Sequence, residues 1–288
     1  CDSSIHRTGG RRMYDTVHLE GGRCDGSAHA GCQADCVFFW KEAWLKRADD
    51  SPAPTLLASG AGCTAQRVQA AAKIDDDPTN PTWVCQTTVI YEASDPLEWW
   101  DVRQYLADVT SGNHSLWHMV KLLSRSAYAK LLNIGVGYGI LLKFYNSWQK
   151  LRGGAPFPTI EGRIRKGQPT PNEILDLAPG EWVEVKSSEE IAATITLAGF
   201  NRGMRYDPEM LKYSGNRYRV QQRVDQLIDE KSGKMVRMKS PCIQLEDVFC
   251  RAEFTPDRLG CPRASNTYWR EIWLKRVAES QPERLEQH

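Results

Sequence analysis

Apolar and polar positions alternate most cleanly in Glu181–Lys186 (EWVEVK), the pattern of a half-buried strand entered by a Pro179-Gly180 turn. Asn216–Asp229 alternates in the same way, and Lys231-Ser232-Gly233-Lys234 then predicts a tight turn. Met235–Leu245 returns from that turn as the second strand of a hairpin. Trp83–Tyr91 (WVCQTTVIY) also predicts a strand. Helical signals fall elsewhere. Asp95-Pro96-Leu97-Glu98 offers a cap, a proline for the first turn and an acidic residue, predicting a helix through Trp99, Trp100, Tyr105 and Leu106 to a stop near Ser111-Gly112-Asn113. A longer helix is predicted from His114 to Leu151, ended by Gly153-Gly154. Short helices are predicted around Gln66–Lys73, after Thr170-Pro171-Asn172-Glu173, from Ser187 to about Leu197, and from Asp207-Pro208-Glu209.

The chain also repeats itself. Phe39-Trp40-Lys41-Glu42-Ala43-Trp44-Leu45-Lys46-Arg47 recurs as Tyr268-Trp269-Arg270-Glu271-Ile272-Trp273-Leu274-Lys275-Arg276. Upstream, Val17-His18-Leu19-Glu20 before Cys24 matches Ile243-Gln244-Leu245-Glu246 before Cys250. The spacing of Trp40 to Trp44, and of Trp269 to Trp273, predicts that each pair shares one face of a helix packed over its module, with Glu42 and Glu271 solvated. The first copy begins at Cys1-Asp2 where the second has Ile228-Asp229, which predicts a further strand upstream. An acylated Cys1 is another reading of that start.

These patterns predict an α+β protein in which two small SH3-like β modules, each with a cysteine cluster and a tryptophan-bearing terminal helix, flank a mainly helical middle. Residues 1–47 form the first module, 48–82 a linker rich in Ala, Asp, Pro, Ser and Thr, 83–154 the helical segment and 155–288 the second module.

Nine cysteines, an odd number, cluster near the two ends of the chain, which favours metal thiolates in a reducing compartment over a secreted disulfide framework. In the first copy the candidate ligands are Cys24, Cys32 and Cys36, with Cys1 or His29 as the fourth. In the second they are Cys250, Asp257 and Cys261, with Cys242 completing the set. Aligned by their clusters, Asp257 stands opposite Cys32 and Cys261 opposite Cys36. Sets dominated by thiolate suit tetrahedral zinc, so two zinc sites are expected, an iron–sulfur cluster being the alternative. Metal binding would then supply folding free energy to a module too small for a core. Cys63 and Cys85 could form a third site, pair with each other or fill a core.

Other candidates have bland readings. His114 and His118 are four apart but lack a glutamate between them in a zinc-protease frame, so a surface or core pair is favoured. Asp101, Arg103 and Gln104 could floor a polar pocket beside the paired tryptophans, although a salt-bridged helix surface is favoured. Ile134-Gly135-Val136-Gly137-Tyr138-Gly139 follows no predicted strand and is read as helix packing rather than a phosphate loop.

The 288 residues carry 37 Lys+Arg against 36 Asp+Glu, a net charge of +1 that argues against coating nucleic acid or an anionic membrane as the main business. No apolar run reaches the roughly 18–20 residues of a bilayer span. GEWVEVKSSEEIAAT, RCDGSAHAGCQADC and YWREIWLKR resemble a family of uncharacterised bacterial Cys/Trp-rich proteins associated with biosynthetic gene neighbourhoods. That resemblance implies a bacterial cytoplasmic protein and brings no activity. The favoured function is a zinc-binding protein that binds or scaffolds a protein partner. The alternative is a metalloenzyme with an exchangeable metal position and a small-molecule substrate at Cys242, Cys250, Asp257 and Cys261, walled by the Trp-rich middle. Nucleic-acid binding through Arg217, Arg219, Arg223 and the Gly162-Arg163-Ile164-Arg165-Lys166 segment ranks third.

Overall fold

The computed structural model describes residues 3–6, 9–47, 64–75, 77–135, 137–152, 157, 160–254 and 258–277. Helix and strand occur in similar measure, so the protein is mixed α and β. The strands are β1 (Ser3–His6), β2 (Gly9–Arg12), β3 (Thr16–Val17), β4 (Trp40–Lys41), β5 (Asp95–Pro96), β6 (Trp182–Val185), β7 (Phe200–Asn201), β8 (Met204–Arg205), β9 (Arg217–Ile228), β10 (Met235–Leu245) and β11 (Leu274–Arg276). The α-helices are α1 (Ala65–Ala71), α2 (Arg103–Thr110), α3 (Leu116–Asn133), α4 (Tyr138–Leu151) and α5 (Ser188–Ala192). No helix among the described residues is long and apolar enough to cross a membrane.

The chain divides into two compact units that interleave along the sequence. One comprises residues 1–136, 226–238 and 251–265; the other comprises 137–225, 239–250 and 266–288. The second unit is built on a sheet of order β10-β9-β6-β11, with β6 antiparallel to both β9 and β11. Alternation explains β6: Val183 and Val185 are fully buried while Trp182 faces outward. Pro179-Gly180 turns the chain into it, with Gly180 at a φ of 88°. The hairpin of β9 and β10 closes through Asp229, whose N–H donates to the Lys234 carbonyl and whose carbonyl accepts from Gly233. Ser187 caps α5 in a reciprocal box with Glu190, and Asp207 caps a 3-10 helix over Pro208–Tyr213.

The core of this unit gathers Val183, Val220, Ile243, Leu245 and Leu274 from the four strands around Trp269 and Trp273, both fully buried. Tyr206 meets the two indoles edge-on at 6.2 and 5.0 Å. Each indole N–H is satisfied locally, Trp269 by Thr267 Oγ1 at 2.9 Å and Trp273 by Thr194 Oγ1 at 3.1 Å. Glu271, expected to be solvated, is instead 2% exposed. Its carboxylate accepts the backbone N–H groups of Leu175 (2.7 Å), Asp176 (3.3 Å) and Leu177 (3.3 Å) and pairs with Arg223 at 3.0 Å. This explains why residues 170–179 form no helix: three consecutive N–H groups there bond to a side chain from elsewhere.

The first unit has smaller apolar clusters: Met13 with Phe39 and Ile90, Ala72 with Trp83 and Ile228, and Tyr105 with Met119 and Leu259. A buried ion pair, Arg258 with Asp108 on α2, joins the last of these clusters, and its guanidinium lies 5.5 Å from the Tyr105 ring centre. Several predicted elements differ here. Asp95-Pro96 pairs with Arg12 and Arg11 as strand β5, and α2 begins only at Arg103, whose N–H bonds to Asp101 Oδ1 at 3.0 Å. Residues 83–91 are largely turn, because Thr88 Oγ1 accepts from the Cys85 N–H and donates to the Cys85 carbonyl. The expected long helix after His114 is two helices, with Gly135 and Gly137 at φ of 81° and 69° between them.

Replacing Glu271 by Ala would strand three inward N–H groups and remove one of the carboxylates paired with Arg223, which keeps Asp176 and Asp225. We expect a loss of about 3 kcal/mol or more in denaturant unfolding. The same change at exposed Glu42 should cost within about 0.5 kcal/mol. Equal costs at the two positions would refute this account.

Candidate functional site

The two repeated stretches adopt the same backbone geometry. Val17 pairs with Trp40, and Ile243 pairs with Trp269. Arg23 bridges Val37, and Phe249 bridges Asn266. Phe38 N–H donates to Gly22 and Thr267 N–H to Val248, at 3.2 and 3.4 Å. Left-handed residues recur at Gly21 and Asp247, Gly26 and Ala252, Gly31 and Gly260, and Asp35 and Ala264. Glu42–Trp44 and Glu271–Trp273 both form a single 3-10 turn between extended residues. Trp40 and Trp44 therefore do not share a helical face, and neither do Trp269 and Trp273; in each pair the first closes a bridge and the second ends the 3-10 turn.

This register revises the alignment of the cysteines. The Gly31 N–H to Gly26 carbonyl bond at 3.0 Å is matched by Gly260 to Ala252, also at 3.0 Å. The extra residues of the second copy therefore lie between Ala252 and Gly260, ahead of Cys261. Cys24 corresponds to Cys250, Cys32 to Cys261 and Cys36 to Ser265, whereas matching by cysteine alone had set Asp257 opposite Cys32.

In the first copy, Cys24 and Cys36 occupy adjoining positions on paired chains, with the Cys24 N–H donating to the Cys36 carbonyl at 2.8 Å. Cys32 follows the Gly31 turn, and its Sγ accepts the Ile228 N–H at 3.4 Å. A Cβ on Gly26 would collide with the Cys32 carbonyl oxygen, so the chain needs glycine to fold this tightly. Cys85 enters the same neighbourhood from its turn, its Sγ 3.0 Å from Thr87 Oγ1. Burial raises the Cys24 thiol above its ordinary value, and the Cys32 and Cys85 thiols add to the effect. Burial pushes Cys36 up to about 12; Arg263 opposes the shift, and Cys32 and Cys85 again reinforce it. Cys24, Cys32, Cys36 and Cys85 are free cysteines, and the Cys32 and Cys85 thiols lie near enough to raise both Cys24 and Cys36. No spacing rule marks Cys85, which is remote in sequence from the other three.

His29 is turned to other work: its Nε2 lies 3.2 Å from the Val84 carbonyl and its ring meets Trp83 edge-on. Cys1 and Asp257, like Cys63, lie outside the described residues. In the second copy, Cys242 is fully buried and its Sγ donates to the Val224 carbonyl at 3.5 Å. Cys250 Sγ donates to Glu209 Oε2 at 3.7 Å. Cys261 belongs to the first unit, where it and Cys36 both act on the Arg263 guanidinium. Among the described residues, no three His, Cys, Asp or Glu side chains stand ready around a single ion position. His114 and His118 stack at 5.0 Å, with His114 Nε2 3.0 Å from the Gly260 carbonyl. Asp101 and Arg103 form an exposed ion pair at 2.8 Å, while Gln104 is buried and donates to the Glu98 carbonyl.

The helical middle holds a cavity whose lining includes none of Cys242, Cys250 and Cys261. It measures about 490 Å³ and is lined by Trp99, Trp100, Leu106, Met119 and Leu123, with Lys130 over the Trp99 ring at 3.1 Å. No protein-family model, curated protein or solved structure matches this chain.

Two outcomes are expected of the thiols. In metal-free protein at pH 8 Cys36 should be alkylated far more slowly than an ordinary exposed thiol, and denaturant should abolish the difference, read by peptide mass spectrometry. Cys242, pushed by burial from 9.0 to about 11, stays protonated in the fold where the unfolded chain ionises. Its contribution to stability is complete below pH 9 and is lost as pH rises through 11, so Cys242→Ala should flatten the alkaline fall in stability. An unchanged slope would overturn the assignment.

Proposed function

We propose that this is a zinc-stabilised bacterial cytoplasmic binding protein built on two SH3-like modules, one kept for stability and one for a protein partner. The metal is held in the first copy by Cys24, Cys32, Cys36 and Cys85, with Cys85 taking the place expected for Cys1 or His29. The observation that carries this reading is the pairing of the Cys24 and Cys36 backbones, with Cys32 and Cys85 close enough to act on both thiols, in the copy that has the poorer core. Among the described residues it contributes Met13 and Phe39 to a small buried cluster with Ile90, whereas the second copy shares the large cluster around Trp269 and Trp273. A zinc ion drawing four thiolates together supplies what that core lacks, since its binding free energy becomes folding free energy. The second copy has Ser265 where the first has Cys36, and packing does the same work there.

The binding role is supported by what the first copy leaves open. Trp44 is 65% exposed, while its counterpart Trp273 is 0% exposed. An exposed indole of this kind is a common anchor at protein interfaces.

Elemental analysis of protein purified without added metal tests the reading. About one zinc per chain is expected, lost in Cys36→Ser and Cys85→Ser and retained in Cys242→Ser. Uptake should weaken as pH falls, because the ligands must shed protons. Zinc that survives Cys85→Ser would remove that residue from the set. Iron with a broad visible band would replace zinc by a cluster, and metal-free protein would sink the proposal.

A further inference from the structure

The near balance of charge over the whole chain hides a one-signed segment. From Leu116 to Arg152 the chain carries Lys121, Arg125, Lys130, Lys143, Lys150 and Arg152 and no Asp or Glu. In α3 part of this charge is already engaged, Arg125 with Glu253 at 2.9 Å and Lys130 with Trp99. At α4, Arg152 is set against the Trp148 ring, Lys143 and Lys150 are exposed, and no side chain of the helix is buried.

Along α4, Ile140, Phe144, Trp148 and Leu151 recur at helical spacing and form a single stripe. Their exposures are 77%, 68%, 47% and 83%. Lys143 and Lys150, seven residues apart and both exposed, run beside that stripe. Arg152 lies 4.6 Å from the Trp148 ring centre at the helix end. Off the stripe, Asn146 Oδ1 accepts the Phe157 N–H at 2.8 Å, and Tyr145 meets the Phe157 ring edge-on at 5.3 Å. An aliphatic and aromatic stripe flanked by cations, with no anion, is the pattern of a helix lying in a membrane interface, where acyl chains take the stripe and anionic headgroups the cations. Nucleic acid would reward the lysines but leave Ile140, Phe144 and Leu151 in water.

We propose that α4 docks this protein flat on an anionic lipid bilayer, with Ile140, Phe144, Trp148 and Leu151 inserted to the depth of the headgroup boundary and Lys143, Lys150 and Arg152 on the lipid phosphates. The mode is peripheral; α4 has 14 residues, too few to span. It is independent of the zinc reading, since no residue of the thiol set takes part.

Flotation of the full chain with vesicles tests it. Vesicles of phosphatidylcholine containing roughly one-third phosphatidylglycerol should carry the protein, vesicles of phosphatidylcholine alone should not, and added salt should weaken the retention. Phe144→Glu and, separately, Lys143→Glu with Lys150→Glu should each weaken it about tenfold or more. Neither change touches a buried residue, so unchanged circular dichroism and thermal unfolding are expected; should one variant misfold, the other still decides. Absent flotation, equal flotation on neutral vesicles, or retention unaffected by both variants would overturn the proposal. So would binding to duplex DNA or an acidic polypeptide without any binding to vesicles.

Discussion

One buried carboxylate holds the second unit together. Glu271 satisfies three successive N–H groups of an otherwise irregular segment and neutralises Arg223 from β9. Residues 175–177 can run past the core without a strand or helix of their own only because this acceptor is there, since a buried N–H without a partner costs roughly 1–3 kcal/mol. The 3-10 turn that carries Glu271 also places Trp273 in the core and starts β11, so one short turn fixes a loop, a sheet edge and the main aromatic cluster.

The same turn, used twice, has opposite fates. In the first copy Glu42 and Trp44 point to solvent, whereas in the second Glu271 and Trp273 are buried. The backbone angles flanking the turns differ by less than 10°, so conformation is not what separates them. The surroundings do: β6, Tyr206 and residues 175–177 close over the second turn. A duplicated sequence therefore specifies a shape, and the remainder of the chain decides whether that shape becomes a core or a surface.

What was legible in the sequence follows from how local each determinant is. The hairpin of β9 and β10, strand β6 and the caps at Ser187 and Asp207 rest on neighbouring residues, and all were readable. The Trp40 and Trp44 spacing misled because four residues also separate a bridge position from the end of a 3-10 turn. Trp83–Tyr91 has strand composition, but the Thr88 hydroxyl offers the chain a closer set of bonds. Asp95-Pro96 reads as a helix start until Arg11 and Arg12 offer a strand to pair with. Burial of Glu271 and the approach of Cys85 to the other thiols depend on residues far away in sequence, which periodicity does not reach. Cysteine identity likewise suggested a register that the repeated left-handed positions corrected.

Those left-handed positions have an evolutionary meaning. The bond from Gly31 to Gly26, repeated from Gly260 to Ala252, pins the two ends of a loop whose length differs between the copies. Cys32 and Cys261 each follow directly on that bond, although Ala252 carries a side chain where Gly26 has no room for one. The clamp takes a loop three residues longer in the second copy, while the flanking bridges Arg23 to Val37 and Phe249 to Asn266 keep their register.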